Sequence, residues 1–377
     1  MKNVKIMYFG KFPGESPGAK RIFLYREGLQ AAGTDCDIIP VDIASEGRLN
    51  RLWQALAIPI IGFIRAYNHL NHNSICLVYT SKWLCILMSY LACKLRKSKI
   101  VLEVNEKPCA PYGDRLSELV IIKLCKRFFI EHLVYPLLDG FIVISENLHR
   151  YVTGLKSTKA KIIKVPIIIN PDLNLKTIEL PVDIEKPFII HAGALSEKKD
   201  GVLGICEAVD LANQNRDKKI HVYFTHSIAP TDVKCRLKKI SENTLEGLIH
   251  FIGNIPNDEL AAYQKNCSML VLFKPDNEQN QYNFSTKLGE FLAFNKPVIF
   301  TPVGELTSYL KDQINAIQVS TYTPFHLAEK IKYVLDRQDI AEKLGIEAGK
   351  LAKTDFHYKV QGKRLAAYFS HPHFQSN

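Results

Sequence analysis

In the segment NFSTKLGEFLAFNKPVIFTPVGEL, residues 283–306, a polar loop runs into a helix that carries Glu290 and stops at Asn295; a buried strand and a turn at Gly304 follow. A loop that opens a helix offers unpaired backbone N–H groups and the positive end of the helix dipole, which suit a phosphate or a sugar hydroxyl. Glu290 stands about two turns into that helix, where a carboxylate can bind a ribose diol. A second such place is FIIHAGALSEKKDG, residues 188–201, where a strand ends in Ala-Gly and Lys198, Lys199 and Gly201 precede a helix. A glycine after a strand lets the backbone approach an anion closely, and a lysine at a helix start adds positive charge.

These loops need a regular frame to hold them. Short β-rich runs alternate with longer helical patterns along the whole chain, the mark of parallel α/β sheets. The first half offers strands at 4–10, 36–42, 75–80, 99–105, 140–145 and 161–166, with helices at 19–32, 82–96 and 116–138. The second half restarts at 187–193 and continues with strands at 220–225, 248–253, 269–273, 297–301 and 316–320. Its helices fall at 201–213, 325–335, 339–353 and 357–369. Periodicity is lost over 169–186, where Pro171 and Pro181 stand, so the linker belongs there. Two α/β halves of similar size place a cleft between them, with substrates expected at the carboxyl ends of strands.

A hydrophobic fraction of 47% and a charged fraction of 23% over 377 residues exclude a disordered or fibrous chain and allow two cores. The longest apolar stretch, residues 52–64, contains Gln54 and Pro59 and is too short to cross a bilayer. The opening MKNVKIMYFGKFPG has too short an apolar run for a signal peptide. The nine cysteines form no C-x-x-C pair and read as small core residues in a reducing compartment. The twelve histidines show no metal-ligand spacing, and His191 reads as structural.

Net charge is +11 and unevenly placed: residues 1–180 hold 25 Lys/Arg against 15 Asp/Glu, and residues 181–377 hold 24 against 23. Together with the apolar stretch at 52–64, this asymmetry predicts contact between the first half and an anionic membrane surface. Nucleic acid is not expected as a partner, because no recognised module is present and aromatic residues do not interleave with the basic ones. The expected location is cytoplasmic, with peripheral contact at the inner face of the cytoplasmic membrane.

The arrangement over 283–306 resembles the donor-nucleotide site of the family-four retaining glycosyltransferases, the group 1 glycosyltransferases found in bacterial surface polysaccharide biosynthesis. Their fold is GT-B: α/β, with two Rossmann-like domains facing each other across a cleft. The segment 188–201 resembles the family's G-x-L-x-x-x-K-x-G turn, which implies that Lys199 grips the nucleotide diphosphate with Gly193 and Lys198 beside it. Where the family often has an arginine after the glycine, this chain has Ala194. HFIGNIPNDELAAYQKNCSMLVLF (250–273) resembles the unit whose backbone lines the nucleobase pocket, which implicates Gly253, Asn254 and Ile255.

Of the family's two glutamates eight positions apart, Glu290 matches the second, which binds ribose, and Tyr282 stands at the first, which holds sugar hydroxyls. Glu278, Asp276 or Tyr282 itself is left to take that part. Asn283, Phe284 and Ser285 would face the donor through their backbone, and Lys287 would meet the phosphates. The glycine- and proline-rich loop at 10–33 is not G-x-G-x-x-G. It resembles the family's first loop, which implies donor contacts at Gly18 and Arg21; a plain loop is the other reading. VLEVNEKP (101–108) sets Asn105 and Glu106 at a strand tip where many members carry a histidine near the reacting sugar. Ser145, in DGFIVISENLHRYV, reads as a helix N-cap or an acceptor contact.

Carried through, the resemblance implies an acceptor-binding domain at 1–170, a linker at 171–186, a nucleotide-sugar domain at 187–355 and a helix at 356–377 that crosses back. The implied enzyme is a retaining transferase of hexosyl type, moving a sugar from a nucleotide-diphosphate donor to a sugar or lipid-linked sugar acceptor. Lys199, Glu290, Asn105 and Glu106 would serve catalysis, with no obligatory metal and no other cofactor. Two alternatives stay open: a non-hydrolysing sugar-nucleotide epimerase, which shares the fold, and a catalytically silent partner of another transferase, motivated by Tyr282 and Ala194.

Overall fold

The structure, a computed structural model, describes residues 3–14, 16–42, 48–108, 120–155, 159–171, 179–180, 184–225 and 231–374. Most of the segment expected as linker lies outside them. The chain divides into two compact units, Met1–Asn170 with Asp355–Asn377, and Pro171–Thr354.

The first unit runs β1 (Asn3–Tyr8), α1 (Pro17–Ala31), β2 (Asp35–Pro40), α2 (Arg48–His69), β3 (Ile75–Tyr79), α3 (Trp83–Arg96), β4 (Lys99–Val104), α4 (Val120–Phe129), β5 (Gly140–Val143), α5 (Glu146–Gly154) and β6 (Lys161–Lys164). The strands form one parallel sheet in the order β2-β1-β3-β4-β5-β6. A parallel sheet is covered on both faces, which is why β3 and β5 are almost wholly apolar rather than alternating. The run at 52–64 lies inside α2, a helix of 22 residues that contains Pro59; periodicity did not assign it. The helix expected at 116–138 is α4 followed by a π turn at Ile130–Val134 and a 3-10 turn at Tyr135–Leu137. Among the described residues no helix is long and apolar enough to cross a membrane.

In the second unit the order is β7 (Phe188–His191), α6 (Glu197–Asp200), α7 (Val202–Asn213), β8 (His221–Phe224), α8 (Thr231–Asn243), β9 (Ile249–Phe251), α9 (Asn257–Asn266), β10 (Leu270–Leu272), α10 (Glu278–Tyr282), α11 (Thr286–Leu292), β11 (Val298–Phe300), α12 (Leu306–Tyr309), β12 (Ile317–Gln318), α13 (Pro324–Asp336) and α14 (Gln338–Lys353). Two parallel trios, β7-β8-β9 and β10-β11-β12, are joined by a parallel bridge between Ile189 and Met269. The combined order β9-β8-β7-β10-β11-β12 therefore reverses direction of growth between β7 and β10. Ligands of open α/β sheets bind outside the carboxyl ends of the strands at such a reversal.

The last helix, α15 (Tyr358–Phe369), belongs to the first unit and packs on α1. A Cβ at Gly28 would lie 2.4 Å from the Tyr358 carbonyl oxygen, and one at Gly362 would lie 2.2 Å from Gly28 backbone. The two helices cross at this pair of glycines, and any larger residue there would force them apart. Phe369 and Phe374 then complete the first core beside Ile142 and Leu77.

Six of the cysteines are buried, as expected of small core residues, but Cys125 and Cys235 are exposed. Cys109 lies outside the described residues.

Candidate functional site

The reversal between β7 and β10 gathers a set of charged side chains. The strand β7 ends at His191, and the chain turns through Gly193, whose φ of 98° lies in the region that favours glycine. Ser196 caps the short α6, its hydroxyl accepting from the Lys199 N–H at 3.2 Å, which fixes the turn that carries Lys198, Lys199 and Asp200. Beside it, Phe273 and Lys274 follow β10, and Lys287 stands in the first turn of α11.

The buried Asp200 carboxylate receives two ammonium groups, Lys287 Nζ at 2.9 Å and Lys274 Nζ at 3.2 Å. Lys287 Nζ also donates to His191 Nε2 at 3.2 Å. Lys274 Nζ further donates to the Lys199 carbonyl oxygen at 2.9 Å and to Asn280 Oδ1 at 3.4 Å, so its three protons tie the lysine turn, β10 and α10 together. The same turn is held from α10 by Asn277 and Asn280, which donate to the Lys198 carbonyl oxygen at 2.7 and 3.2 Å. The Lys199 ammonium, half-buried beside this cluster, makes no hydrogen bond or ion pair among the described residues.

Electrostatics follow from that geometry. Burial works against ionising Asp200, but the charges of Lys287 and Lys274 outweigh it and hold the carboxyl well below the usual carboxylate range. Burial pushes Lys274 down to about 8, against the pull of Asp200, and lowers Lys287 for the same reason. Burial and the neighbouring Lys287 charge push His191 down to about 3, so its imidazole is neutral and can accept the Lys287 proton. One carboxylate is thus shared by two lysines, with the Lys199 charge acting on both of them, an imbalance that suits a bound dianion.

Around the cluster stand the remaining donor residues named from the sequence. Glu290, in the second turn of α11, accepts from Gln264 Nε2 of α9 at 3.1 Å. Tyr282 ends α10 and is half-buried; Asp276 is engaged by Gln281 at 2.6 Å, and Glu278 is exposed in the first turn of α10. Asn283 is only 8% exposed, and its Nδ2 has no hydrogen-bond partner among the described residues. A buried amide donor left unmatched is uncommon in native proteins and marks a place where an acceptor is expected. The Phe284 ring stacks on Tyr309 at 5.4 Å and anchors the loop. Ser285 is the N-cap of α11 but its side chain makes no capping bond. The helix carrying Glu290 ends at Leu292 rather than at Asn295, which instead takes a left-handed φ of 54°. Gly253, with φ of 73°, turns the chain after β9, followed by Asn254 and Ile255. With β8 between β9 and β7, that turn stands roughly 10 Å from the Gly193 turn at about 4.8 Å per strand.

The first unit holds the other named residues, described on their own. Arg21 was expected to touch the donor, and the structure corrects this. Arg21 is 6% exposed, with Nε on Glu103 at 2.7 Å, Nη1 on the Pro166 carbonyl oxygen at 2.6 Å and Nη2 on the Val165 carbonyl oxygen at 2.8 Å. Tyr25 completes the network by donating to Glu103. A guanidinium with every nitrogen engaged by protein and its charge balanced has nothing left for a phosphate. Gly18 is a packing glycine: a Cβ there would meet the Tyr79 ring at 3.0 Å and the Tyr8 hydroxyl at 3.2 Å. Ser145 is the N-cap of α5, accepting from the Leu148 N–H at 3.3 Å.

Asn105 and Glu106 follow the end of β4 and line a cavity of about 510 Å³ with Tyr79, Ser81, Lys107 and Tyr135. Asn105 Nδ2 donates to the Tyr79 hydroxyl at 2.9 Å, while its Oδ1 is buried without a partner among the described residues. The cavity therefore presents an unmatched acceptor beside an exposed carboxylate.

Sequence reasoning missed Lys274, Asp200 and the role of His191. The one signal for Lys274 was a lysine closing the apolar run MLVLF just before Pro275; nothing local linked it to Asp200, 74 positions away.

Known proteins supply the context for this geometry. Residues 177–351 match the family described as glycosyl transferases group 1. An uncharacterized glycosyltransferase of Methanocaldococcus jannaschii is 31% identical over 118 residues, 31% of this chain and 32% of the relative, so the match spans about a third of that protein. Among solved structures, sucrose-phosphate synthase from Thermosynechococcus elongatus superposes with a TM-score of 0.72 at 15% identity, covering 98% of both chains. HepE of Anabaena, solved in complex with UDP-glucose, gives 0.69 at 14% identity, covering 98% of this chain and 99% of that one. A glycosyltransferase from Rickettsia africae gives 0.68 at 18% identity, covering 98% of each chain. At such identities the likeness establishes the fold, GT-B, with its mixed α/β units and parallel sheets. Over residues 177–351 the chain carries a domain of the group 1 glycosyl transferase family.

Proposed function

We propose that this protein is a retaining glycosyltransferase that moves a hexosyl group from a nucleoside-diphosphate sugar to a sugar or lipid-linked sugar acceptor, in the cytoplasm, for cell-surface polysaccharide. The observation that carries the reading is the lysine cluster at the β7/β10 reversal, where two ammonium groups share the Asp200 carboxylate and Lys199 stands in the same turn. In this reading Lys199 and Lys287 hold the diphosphate, Glu290 the ribose, and the turn at Gly253–Ile255 the base. Asn283 Nδ2 supplies a donor for a sugar or phosphate oxygen. The cavity at Asn105 and Glu106 takes the acceptor.

During transfer the bond from the anomeric carbon to the phosphate oxygen breaks and a bond to the acceptor oxygen forms on the same face. The acceptor's proton passes to the departing diphosphate, whose growing charge the lysines stabilise. Such preorganised charge is often the largest catalytic contribution, one donor being worth roughly 3 kcal/mol. The lysines supply the charge that a divalent metal supplies elsewhere, so no metal is required. HepE, solved with UDP-glucose, has a similar fold and supports a uridine donor as the first to try.

A panel of nucleotide sugars, each incubated with and without candidate acceptors, tests the reading. Release of free nucleoside diphosphate that depends on acceptor is the expected result. Conversion of the sugar nucleotide with no acceptor present would instead indicate an epimerase, and binding without turnover on any acceptor a silent partner.

A further inference from the structure

We propose that the face of the first unit formed by α2, α3 and α4 docks on an anionic lipid surface. Of the seventeen large apolar side chains exposed among the described residues, eleven lie between Leu56 and Leu137. On α2, Leu56, Ile60 and Ile64 recur every fourth residue and so share one side of the helix, Leu56 at 62% exposure. Helix α3 packs on α2 and exposes Leu91 and Leu95 at the same spacing. The Trp83 ring at the start of α3 meets Phe129 at 5.1 Å, which continues the surface to α4, where Leu124 and Phe128 project, Phe128 at 63% exposure. Isolated exposed leucines are ordinary; a set of them on α2 and α3, which pack together, and on α4, which meets α3 through Trp83 and Phe129, marks an interaction site.

Charge selects the occupant. Between Gly47 and Leu102 the chain has no Asp or Glu and eight Lys or Arg, so α2 and α3 carry no carboxylate at all. Glu131, just past α4, is buried and paired with Arg127 at 2.5 Å. The cations sit beside aromatic rings: the Arg96 guanidinium lies 4.0 Å over Tyr67, and Lys94 lies 5.4 Å over Tyr90. Aliphatic side chains that project, cations beside aromatic rings and two helices that carry no acid match the chemistry of a bilayer's anionic interface. A second copy of the chain fits worse, because it would bring the same uncompensated cations face to face.

The test uses the full chain and vesicles of phosphatidylcholine alone or mixed equally with phosphatidylglycerol, read by sedimentation. The protein should pellet with the mixed vesicles and not with phosphatidylcholine alone, and moderate salt should weaken the binding. Lys82→Glu with Lys94→Glu should lower partitioning at least about 25-fold, at about fivefold per lost cation. Leu56→Ser, Ile60→Ser and Ile64→Ser together should abolish it. Both variants change exposed side chains and should melt as the wild type does. The proposal falls if the wild type ignores anionic vesicles, binds both kinds equally, or binds as well with either set of substitutions. It also falls if ultracentrifugation shows a dimer that the serine variant dissolves, which would assign the face to a second copy.

Discussion

Each unit buries an ionic network near the carboxyl ends of its strands, and the two networks do opposite things. In the first, Arg21 meets Glu103 and two backbone carbonyls, Tyr25 fills the remaining carboxylate oxygen, and charge sums to zero. In the second, Asp200 is shared by Lys274 and Lys287, with Lys199 close by and unpaired among the described residues. The first is closed and acts as a bolt between α1, β4 and the segment after β6. The second holds surplus positive charge in place without neutralising it. A buried charge is thus a candidate for binding when its partners leave something over, and burial or residue type alone does not decide the matter.

The largest expected effects separate the two networks most cleanly. Arg21→Met should cost about 3–5 kcal/mol of folding stability, because it strands Glu103 in the interior, while nucleotide affinity of the folded protein stays unchanged; urea unfolding and titration of the same sample check both. Lys199→Ala should do the reverse, lowering kcat/KM about 100-fold or more, roughly 3 kcal/mol, with a melting temperature near that of the wild type. If Lys199→Ala instead unfolds the protein and leaves turnover intact, the contrast between the networks is wrong.

A smaller effect comes from pH. The Lys274 ammonium is pushed down to about 8 from an ordinary 10.5. As pH rises through about 8 it loses its proton, and diphosphate affinity should fall. Its contribution to folding stability has the opposite sign. Between about 8 and 10.5 the unfolded chain binds the proton that the folded one has lost, so stability gains over that window. Affinity measured from pH 7 to 9.5 should therefore decline while Lys274 adds to stability, and Lys274→Met should flatten the affinity profile. His191, neutral above about 3, should add no inflection near 6.5.

Smaller again, Glu290→Gln should raise the donor KM about tenfold, of order 1.4 kcal/mol, with kcat little changed; a wild-type KM would remove the ribose assignment. Smallest is the effect of chelation: EDTA should leave turnover unaltered, and a loss restored by Mg²⁺ would show that the lysines do not suffice.

Much of the frame was legible because parallel strands announce themselves as buried apolar runs. PVIFT and MLVLF were placed within a residue or so of β11 and β10. The Gly193–Gly201 turn was also readable, since glycine and lysine positions there are local. What sequence could not supply was adjacency. Arg21 looked like a loop cation near a phosphate because its partner Glu103 is 82 positions away. Lys274 looked incidental because β10 lies beside β7 only after the sheet reverses. The helix α2 escaped notice for a different reason: Pro59 and the lack of a polar face hide helical periodicity in a stretch that leaves Leu56, Ile60 and Ile64 exposed.

The most direct test of the central claim is calorimetric titration of the full chain with nucleoside diphosphates, wild type against Lys199→Ala with Lys287→Ala. At least one diphosphate should bind the wild type, with affinity falling as salt rises, and the double variant should bind it at least about 100-fold more weakly, the equivalent of about 2.7 kcal/mol. Equal binding by both proteins would contradict that claim.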